Sequence, residues 1–307
     1  MKIPTGLVNL VIKSLSESMN VTTMQSLARM YLHNYDLYRK TGFPESIAIP
    51  GRDAARQIVM DINQGGYLIH FINTLYDVQN NGLMGKKYSI SHIREIVNGV
   101  IDLGYIFDNQ NKLFVEDPRI HRTKNWGILL DGADYLFTFL RLDIVGNTQL
   151  VKKYEKDLVK SVYADIRQLF ETGVNKFNGR IWSWEGDGGL AAFFFSNTNL
   201  TATLTGLQFI NEIFLYNTLE CKLEEPVELR LAVHTGSCEY KENQEELLNS
   251  EIIKKTMAIE SDYTKPNSLT VSNVVYITLG KELGSIFQPV SGSRGGGCFN
   301  YELRWEK

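Results

Sequence analysis

The chain has 307 residues, 43% hydrophobic and 22% charged, an ordinary soluble globular composition with length enough for two domains. Its net charge of −3, from 32 basic and 35 acidic residues, gives no global electrostatic drive toward nucleic acid or an anionic membrane. Cys221, Cys238 and Cys298 are far apart and form no CxxC pair, which argues against a disulfide framework or zinc site and for reduced, intracellular thiols.

The start, MKIPTGLVNLVIKSLSESMN, mixes apolar and polar residues and lacks the apolar core of a signal peptide. No stretch reaches the roughly 18 apolar residues of a membrane span. The expected location is the cytoplasm. Residues 1 to about 40 read as helix, with Leu7, Leu10, Val11 and Leu15 at helical spacing. After Gly42, Pro44 and Pro50, further helices are expected over 52–64 and 67–78, split by Gly65-Gly66. Another follows with Ile93, Ile96, Val97, Val100 and Ile101 on one face and ends at Gly104. "YIFDNQNKLFV" then reads as a hairpin, so the helices and hairpin together suggest a winged-helix-like module. The polar stretch 117–134 holds the expected boundary between a mainly helical domain, 1–125, and a second domain, 126–307.

From residue 135 strands and helices alternate. Strands are expected at 135–143, 180–184, 190–195, 227–234 and 268–272, with a closing hairpin at 286–290 and 298–305. Helices are expected at 149–171, 200–219 and 246–260. The order strand, helix, strand, strand, helix, strand predicts an α+β fold with a ferredoxin-like core and additions.

Two stretches carry chemistry. In "FLRLDIVGNT" Asp143 ends a hydrophobic strand and Gly146 allows a tight turn into a helix. In "WEGDGGLAAFF" Asp187 sits in a glycine-flanked hairpin turn. Alone, a Gly-Asp-Gly turn is usually only a turn, and an aspartate before a helix only a cap. The ferredoxin-like order is expected to set the strand before the first helix beside the next strand, bringing the two carboxylates together. Converging carboxylates repel unless a cation lies between them. Mg²⁺ or Mn²⁺ with a nucleoside triphosphate suits such a pair. Alternation places Phe139, Arg141 and Asp143 on one face, so Arg141 is a candidate for reaching substrate.

These motifs, with "LRLAVHTG" at 229–236, resemble those of class III nucleotide cyclases in order and spacing, over residues 135–307. The resemblance implies two Mn²⁺ or Mg²⁺ ions held by Asp143, Asp187 and the Ile144 carbonyl. It implies backbone N–H groups of Val145, Gly146, Asn147 and Thr148 turned toward the triphosphate. It also implies attack of the ribose 3′-oxygen on the α-phosphate, and a head-to-tail homodimer. Where the family places its purine-reading side chain, this chain has Ser183; the purine-reading acid, asparagine and arginine of the third helix align with Leu247, Lys254 and Ala258. Arg294 stands where the family has a phosphate-binding lysine. These departures resemble the Pycsar pyrimidine cyclases of bacterial anti-phage signalling. That resemblance implies conversion of UTP, or less readily CTP, to a cyclic nucleotide read by a separate effector. Ser183 and Trp182 are the candidates for base contact. An adenylate cyclase with atypical base contacts, a degenerate cyclase-fold sensor or scaffold, and a DNA-binding regulator are the alternatives. Neither nucleic acid nor membrane is the expected partner.

Overall fold

A computed structural model describes residues 3–109, 112–120, 123–195, 197–290 and 297–303. The chain divides into two compact units, Met1–Ile128 and Leu129–Lys307.

The first unit carries six helices among its described residues: α1 (Thr5–Ser18), α2 (Val21–Ala28), α3 (Leu37–Thr41), α4 (Gly51–Gln64), α5 (Leu68–Asn81) and α6 (Ile93–Asp102). An antiparallel ribbon of β1 (Tyr105–Asp108) and β2 (Leu113–Glu116) follows. The helix expected over 1–40 is three helices. Asn20 takes an extended backbone and its side chain accepts the Thr23 N–H, starting α2 afresh; Asp36 does the same for α3 through Arg39. Asn and Asp win as caps here because their side chains satisfy the orphan N–H groups of a new helix start. Tyr31, His33, Asp36, Arg39 and Tyr67 line an open polar hollow of about 840 Å³ in this unit.

The second unit is built on a seven-stranded sheet. Its elements are β3 (Asp134–Ile144), α7 (Asn147–Lys153), α8 (Lys156–Lys176), β4 (Arg180–Glu185), β5 (Gly188–Phe193), α9 (Thr198–Leu219) and β6 (Leu229–Glu239). They continue with α10 (Gln244–Leu248), α11 (Glu251–Tyr263), β7 (Ser268–Ser272), α12 (Asn273–Tyr276), α13 (Gly280–Gly284), β8 (Gln288–Pro289) and β9 (Cys298–Glu302). The sheet order is β4-β5-β3-β6-β7-β9-β8. Its first four strands have the ferredoxin-like order, and β7, β9 and β8 are additions at one edge, so the α+β expectation holds.

Three expectations are corrected. The helix read over 149–171 is α7 and α8, because Tyr154 breaks it in an extended conformation. Lys153 there bonds Glu225 at 2.8 Å, and the Tyr154 hydroxyl accepts the Glu225 N–H. The helix over 246–260 is likewise two, with Ser250 extended between α10 and α11. The His-Thr-Gly stretch does not end its strand: β6 runs on to Glu239, pairing with β3 along its whole length.

Alternation decides what each face does. Leu140, Leu142 and Ile144 of β3 point into a core with Phe170 and Val174 of α8, Phe209 and Ile213 of α9, and Leu231, Val233, Leu269 and Val271. The other face of β3 carries Phe137, Phe139, Arg141 and Asp143. There α11 packs on β6, with Ile259 against Ala232 and Glu260 against Arg230. Among the described residues no helix is long and apolar enough to cross a membrane.

Phe170 is fully buried, with ring contacts to Phe209 at 5.3 Å and Trp184 at 5.9 Å. Phe170→Ala should therefore cost about 3–5 kcal/mol in urea unfolding followed by tryptophan fluorescence. A loss under about 1 kcal/mol would contradict its place in the core.

Candidate functional site

Registers put the two aspartates at one point. β3 pairs antiparallel with β5, and Asp143 stands opposite Gly188, the residue after Asp187. The neighbour of β3 is β5 rather than the next strand, β4, which lies one place further out. The adjacency expected from the sequence is thus corrected in detail. The tip of the β4–β5 hairpin, not β4, brings Asp187 to Asp143.

That hairpin is tight. Glu185 pairs with Gly188, leaving only Gly186 and Asp187 in the turn. Gly186 has φ +56°, and glycine at the first turn position lets the strands keep their native twist. The next two glycines serve packing. A Cβ on Gly188 would stand 2.6 Å from Arg141 Nη2 and 2.9 Å from the Leu142 carbonyl. A Cβ on Gly189 would stand 2.7 Å from the Trp184 ring. The Arg141 side chain therefore lies over Gly188, and the Trp184 ring over Gly189 on the opposite face.

The ladder also aims Ile144. The Val145 N–H donates to Glu228 O at 2.9 Å, on the β6 side. Successive residues of a strand bond to opposite sides, so the Ile144 carbonyl points away from β6. Continuing the β3–β5 register by one step sets it toward Asp187. The Ile144 side chain is buried in the core. Val145 is not available for a triphosphate, because its N–H is already spent on Glu228; this corrects one member of the expected N–H set. The N–H groups of Gly146, Asn147 and Thr148 make no such bond among the described residues, as at any helix start. Gly146 turns with φ +68° into α7, and the Asn147 side chain accepts the Tyr163 hydroxyl at 2.6 Å.

Around the pair lies a charged row. Arg230 of β6 sits directly across from Asp143 and donates Nη2 to its Oδ2 at 2.5 Å. The Arg230 Nε lies 2.7 Å from Glu260 Oε1 of α11. This second contact is an ion pair whose N–H does not aim at the oxygen, so neither atom completes a hydrogen bond. Burial alone would lower the Arg230 pKa, but the bond to Asp143 and the charges of Glu260, Asp143 and Asp187 outweigh it. Burial raises Glu260 to about 7, with Asp143 adding to the rise and Arg230 and Arg141 opposing it. Tyr163 is pushed up to about 12 by burial, then by Asp187 and Asp143. Tyr163, Arg230 and Glu260 thus each sense both aspartates.

The other expected residues fall as follows. Ser183 pairs with Leu190, and Leu190 with Arg141, so Ser183 shares the Arg141 face two strands away; it is 4% exposed. The Arg141 Nε is buried without a hydrogen-bond partner among the described residues. Trp182 is core, packed against Phe137, Phe139 and Tyr240 at 4.9 to 5.9 Å. His234 is buried, held by Ser272 at 2.8 Å, and lowered to about 4 by burial and then by Lys255. Arg294 lies outside the described residues. Lys254, Lys255 and Ala258 are exposed on α11, and Leu247 is buried in α10. Arg230 and Glu260 were missed in the sequence. The available signal was the alternation of "VELRLAVH", which puts Arg230 on the inner face beside Ala232 and His234.

Among the described residues no group of three His, Cys, Asp or Glu forms a closed metal cage. Two carboxylates and one turned carbonyl are hard oxygen donors, which suit Mg²⁺ or Mn²⁺ when substrate phosphates complete the shell.

No family model matches the chain, and no curated protein does. Solved structures do. A guanylyl cyclase domain of the RhoGC fusion protein from the aquatic fungus Blastocladiella emersonii is 13% identical, TM-score 0.47, covering 56% of this chain and 97% of that one. The adenylyl cyclase CyaB from P. aeruginosa is 15% identical, TM-score 0.46, covering 58% and 98%. An adenylate/guanylate cyclase/hydrolase from Silicibacter pomeroyi is 18% identical, TM-score 0.46, covering 56% and 99%.

Two outcomes follow from the geometry. Gly188→Ala should destabilise by about 1–3 kcal/mol in chemical denaturation. Shortening Arg141 to alanine in the same chain should recover part of that loss, since Arg141 supplies one of the two clashes. Glu260 has its folded value above its ordinary value of 4.5, so between about pH 4.5 and 7 the folded state binds the extra proton. Its contribution is complete below 4.5 and lost as pH rises through 7. Relative to wild type in chelator, Glu260→Gln should gain stability across that window. A difference that stays flat with pH would refute the shift.

Proposed function

We propose that the chain is a nucleotide cyclase that converts a nucleoside triphosphate to its 3′,5′-cyclic nucleotide and pyrophosphate. The observation that carries this is the register setting Asp143 opposite Gly188, which places two carboxylates and the Ile144 carbonyl at one strand end. Asp143, Asp187 and Ile144 would hold the Mn²⁺ or Mg²⁺ ions. When bound, such ions supply charge neutralisation at the triphosphate and acidify the 3′-hydroxyl.

The chain's own residues do the remaining work. The N–H groups of Gly146, Asn147 and Thr148 receive phosphate oxygens at the turn. Arg141, on the same face as Asp143, offers planar N–H donors to charge that builds on the phosphates. The 3′-hydroxyl gives up its proton to solvent, and its oxygen bonds to the α-phosphorus as the bond to pyrophosphate breaks. Phe139, fully buried on the same face as Arg141 and Asp143, keeps the floor of the site dry and limits competing attack by water.

The finer reading is a pyrimidine cyclase acting on UTP in preference to CTP, in anti-phage defence, with a separate effector reading the product. It is supported by the resemblance to the Pycsar group and by a small serine, Ser183, where a purine-reading side chain would stand. The site is completed head to tail by a second copy of the chain. The first unit serves protein contact or sensing of infection.

The test is purified protein with each of the four ribonucleoside triphosphates and Mn²⁺, with products identified by mass. A cyclic pyrimidine nucleotide is expected. Cyclic AMP alone would overturn the pyrimidine reading, and no product from any substrate would favour a scaffold. Asp143→Ala and Asp187→Ala should each abolish turnover in protein that still folds by circular dichroism; activity in either removes it from the metal site.

A further inference from the structure

One of the two Asp143 oxygens is already taken. Arg230 donates Nη2 to Asp143 Oδ2 at 2.5 Å and sets its Nε 2.7 Å from Glu260 Oε1. A single guanidinium therefore spans a carboxylate on β3 and one on α11. The two ends are unequal. The Asp143 end is a formed hydrogen bond. At the Glu260 end the atoms are close but misaligned, and both lack a hydrogen-bond partner among the described residues. Glu260 thus has bonding capacity in reserve. The guanidinium can use it by rotating, without leaving the site.

Charge balance gives that reserve a purpose. The cluster holds three carboxylates, Asp143, Asp187 and Glu260, and two guanidiniums, Arg141 and Arg230. Like charges held close together on a partly buried face call for opposite charge beside them. Arg230 supplies it at Asp143, directly across from it on β6. A divalent cation on the same carboxylate would stand beside the guanidinium and repel it. Glu260 is where the arginine goes.

We propose that Arg230 is a built-in counter-ion: it holds Asp143 while no cation is bound and passes to Glu260 when a divalent cation takes Asp143. This rests on the reading of Asp143 and Asp187 as the cation site. Arg230 is a positioning residue, and Glu260 is its second seat. Cation binding is then an exchange, with Arg230 competing for the oxygen the cation needs. The acidic pair stays compact without metal, at the cost of a weaker metal site.

The test reads cation binding rather than turnover. Mn²⁺ alone, without nucleotide, is titrated into the full chain, and free Mn²⁺ is followed by electron paramagnetic resonance. Arg230→Gln removes the competitor and should tighten Mn²⁺ about tenfold or more. Glu260→Gln removes the second seat and should weaken Mn²⁺ several-fold. Simple addition of charges also predicts those two signs, so the double variant decides. With Arg230 absent Glu260 has nothing to receive. Glu260→Gln should therefore change Mn²⁺ affinity little in the Arg230→Gln background. Equal effects of Glu260→Gln in both backgrounds overturn the exchange. Arg230→Lys, which keeps the charge and folding role, should retain most of the competition; affinity matching Arg230→Gln would also overturn it. In thermal melts Arg230→Gln should melt lower than wild type without Mn²⁺ and gain more from adding it. Should wild type bind no Mn²⁺, and behave as Asp143→Ala does, the cation site itself falls and the exchange with it. That result is distinct from the additive one, in which the site survives.

Discussion

The second unit is organised around two like charges that the backbone forces together. Asp143 ends the central strand, and the β5 register delivers Asp187 beside it. Neither aspartate can retreat, because the residues on each side are committed. Leu142 and Ile144 are buried in the core, and Gly186 and Gly188 are fixed by a two-residue turn. Such a pair needs opposite charge within a few ångströms. Arg230 comes from the strand on the other side of β3, and Glu260 then has to be supplied from α11 to balance Arg230 in turn. The polar half of this sheet face is thus a chain of compensations that begins at the aspartates.

Much of this was legible in the sequence because local rules and the global fold agreed. Period-two alternation in "YLFTFLRLD" gave both faces of β3, including Arg141 and Asp143 on the same side. The Gly-Asp-Gly turn and the strand–helix order predicted the hairpin and the ferredoxin-like core. The helices of the first unit were harder. Asn20 and Asp36 read as ordinary polar residues in a helical stretch, and only the folded chain shows them as caps. Tyr154 likewise carries no breaking signal. Its extended backbone goes with ties from Lys153 and Tyr154 to Glu225, a contact spanning some seventy residues that local pattern cannot contain.

The counter-charges were missed for a similar reason. Arg230 sits in "VELRLAVH" as one charge in an apolar strand, and Glu260 in "MAIESD" as one acid on a helix. Each resembles a solvated surface residue until β6 is placed against β3 and α11 across β6. The error about strand neighbours had a smaller effect. Placing β5 rather than β4 beside β3 leaves Asp187 near Asp143, since the turn belongs to both strands. Val145 shows the opposite case. A turn residue with an apparently open N–H is in fact the last rung of the β3–β6 ladder.

The hairpin glycines limit how this sequence can drift. Gly188 is pressed by Arg141 from one face and Gly189 by Trp184 from the other. The tip of Arg141 is flexible and can give way, but the Leu142 carbonyl is backbone and cannot, so the first glycine is held by the pairing of β3 with β5 itself. The second is held by the indole, and a chain that keeps Trp184 must keep Gly189. The motif that reads as four residues of a turn is therefore inherited together with Trp184 and with the spacing of the central strands.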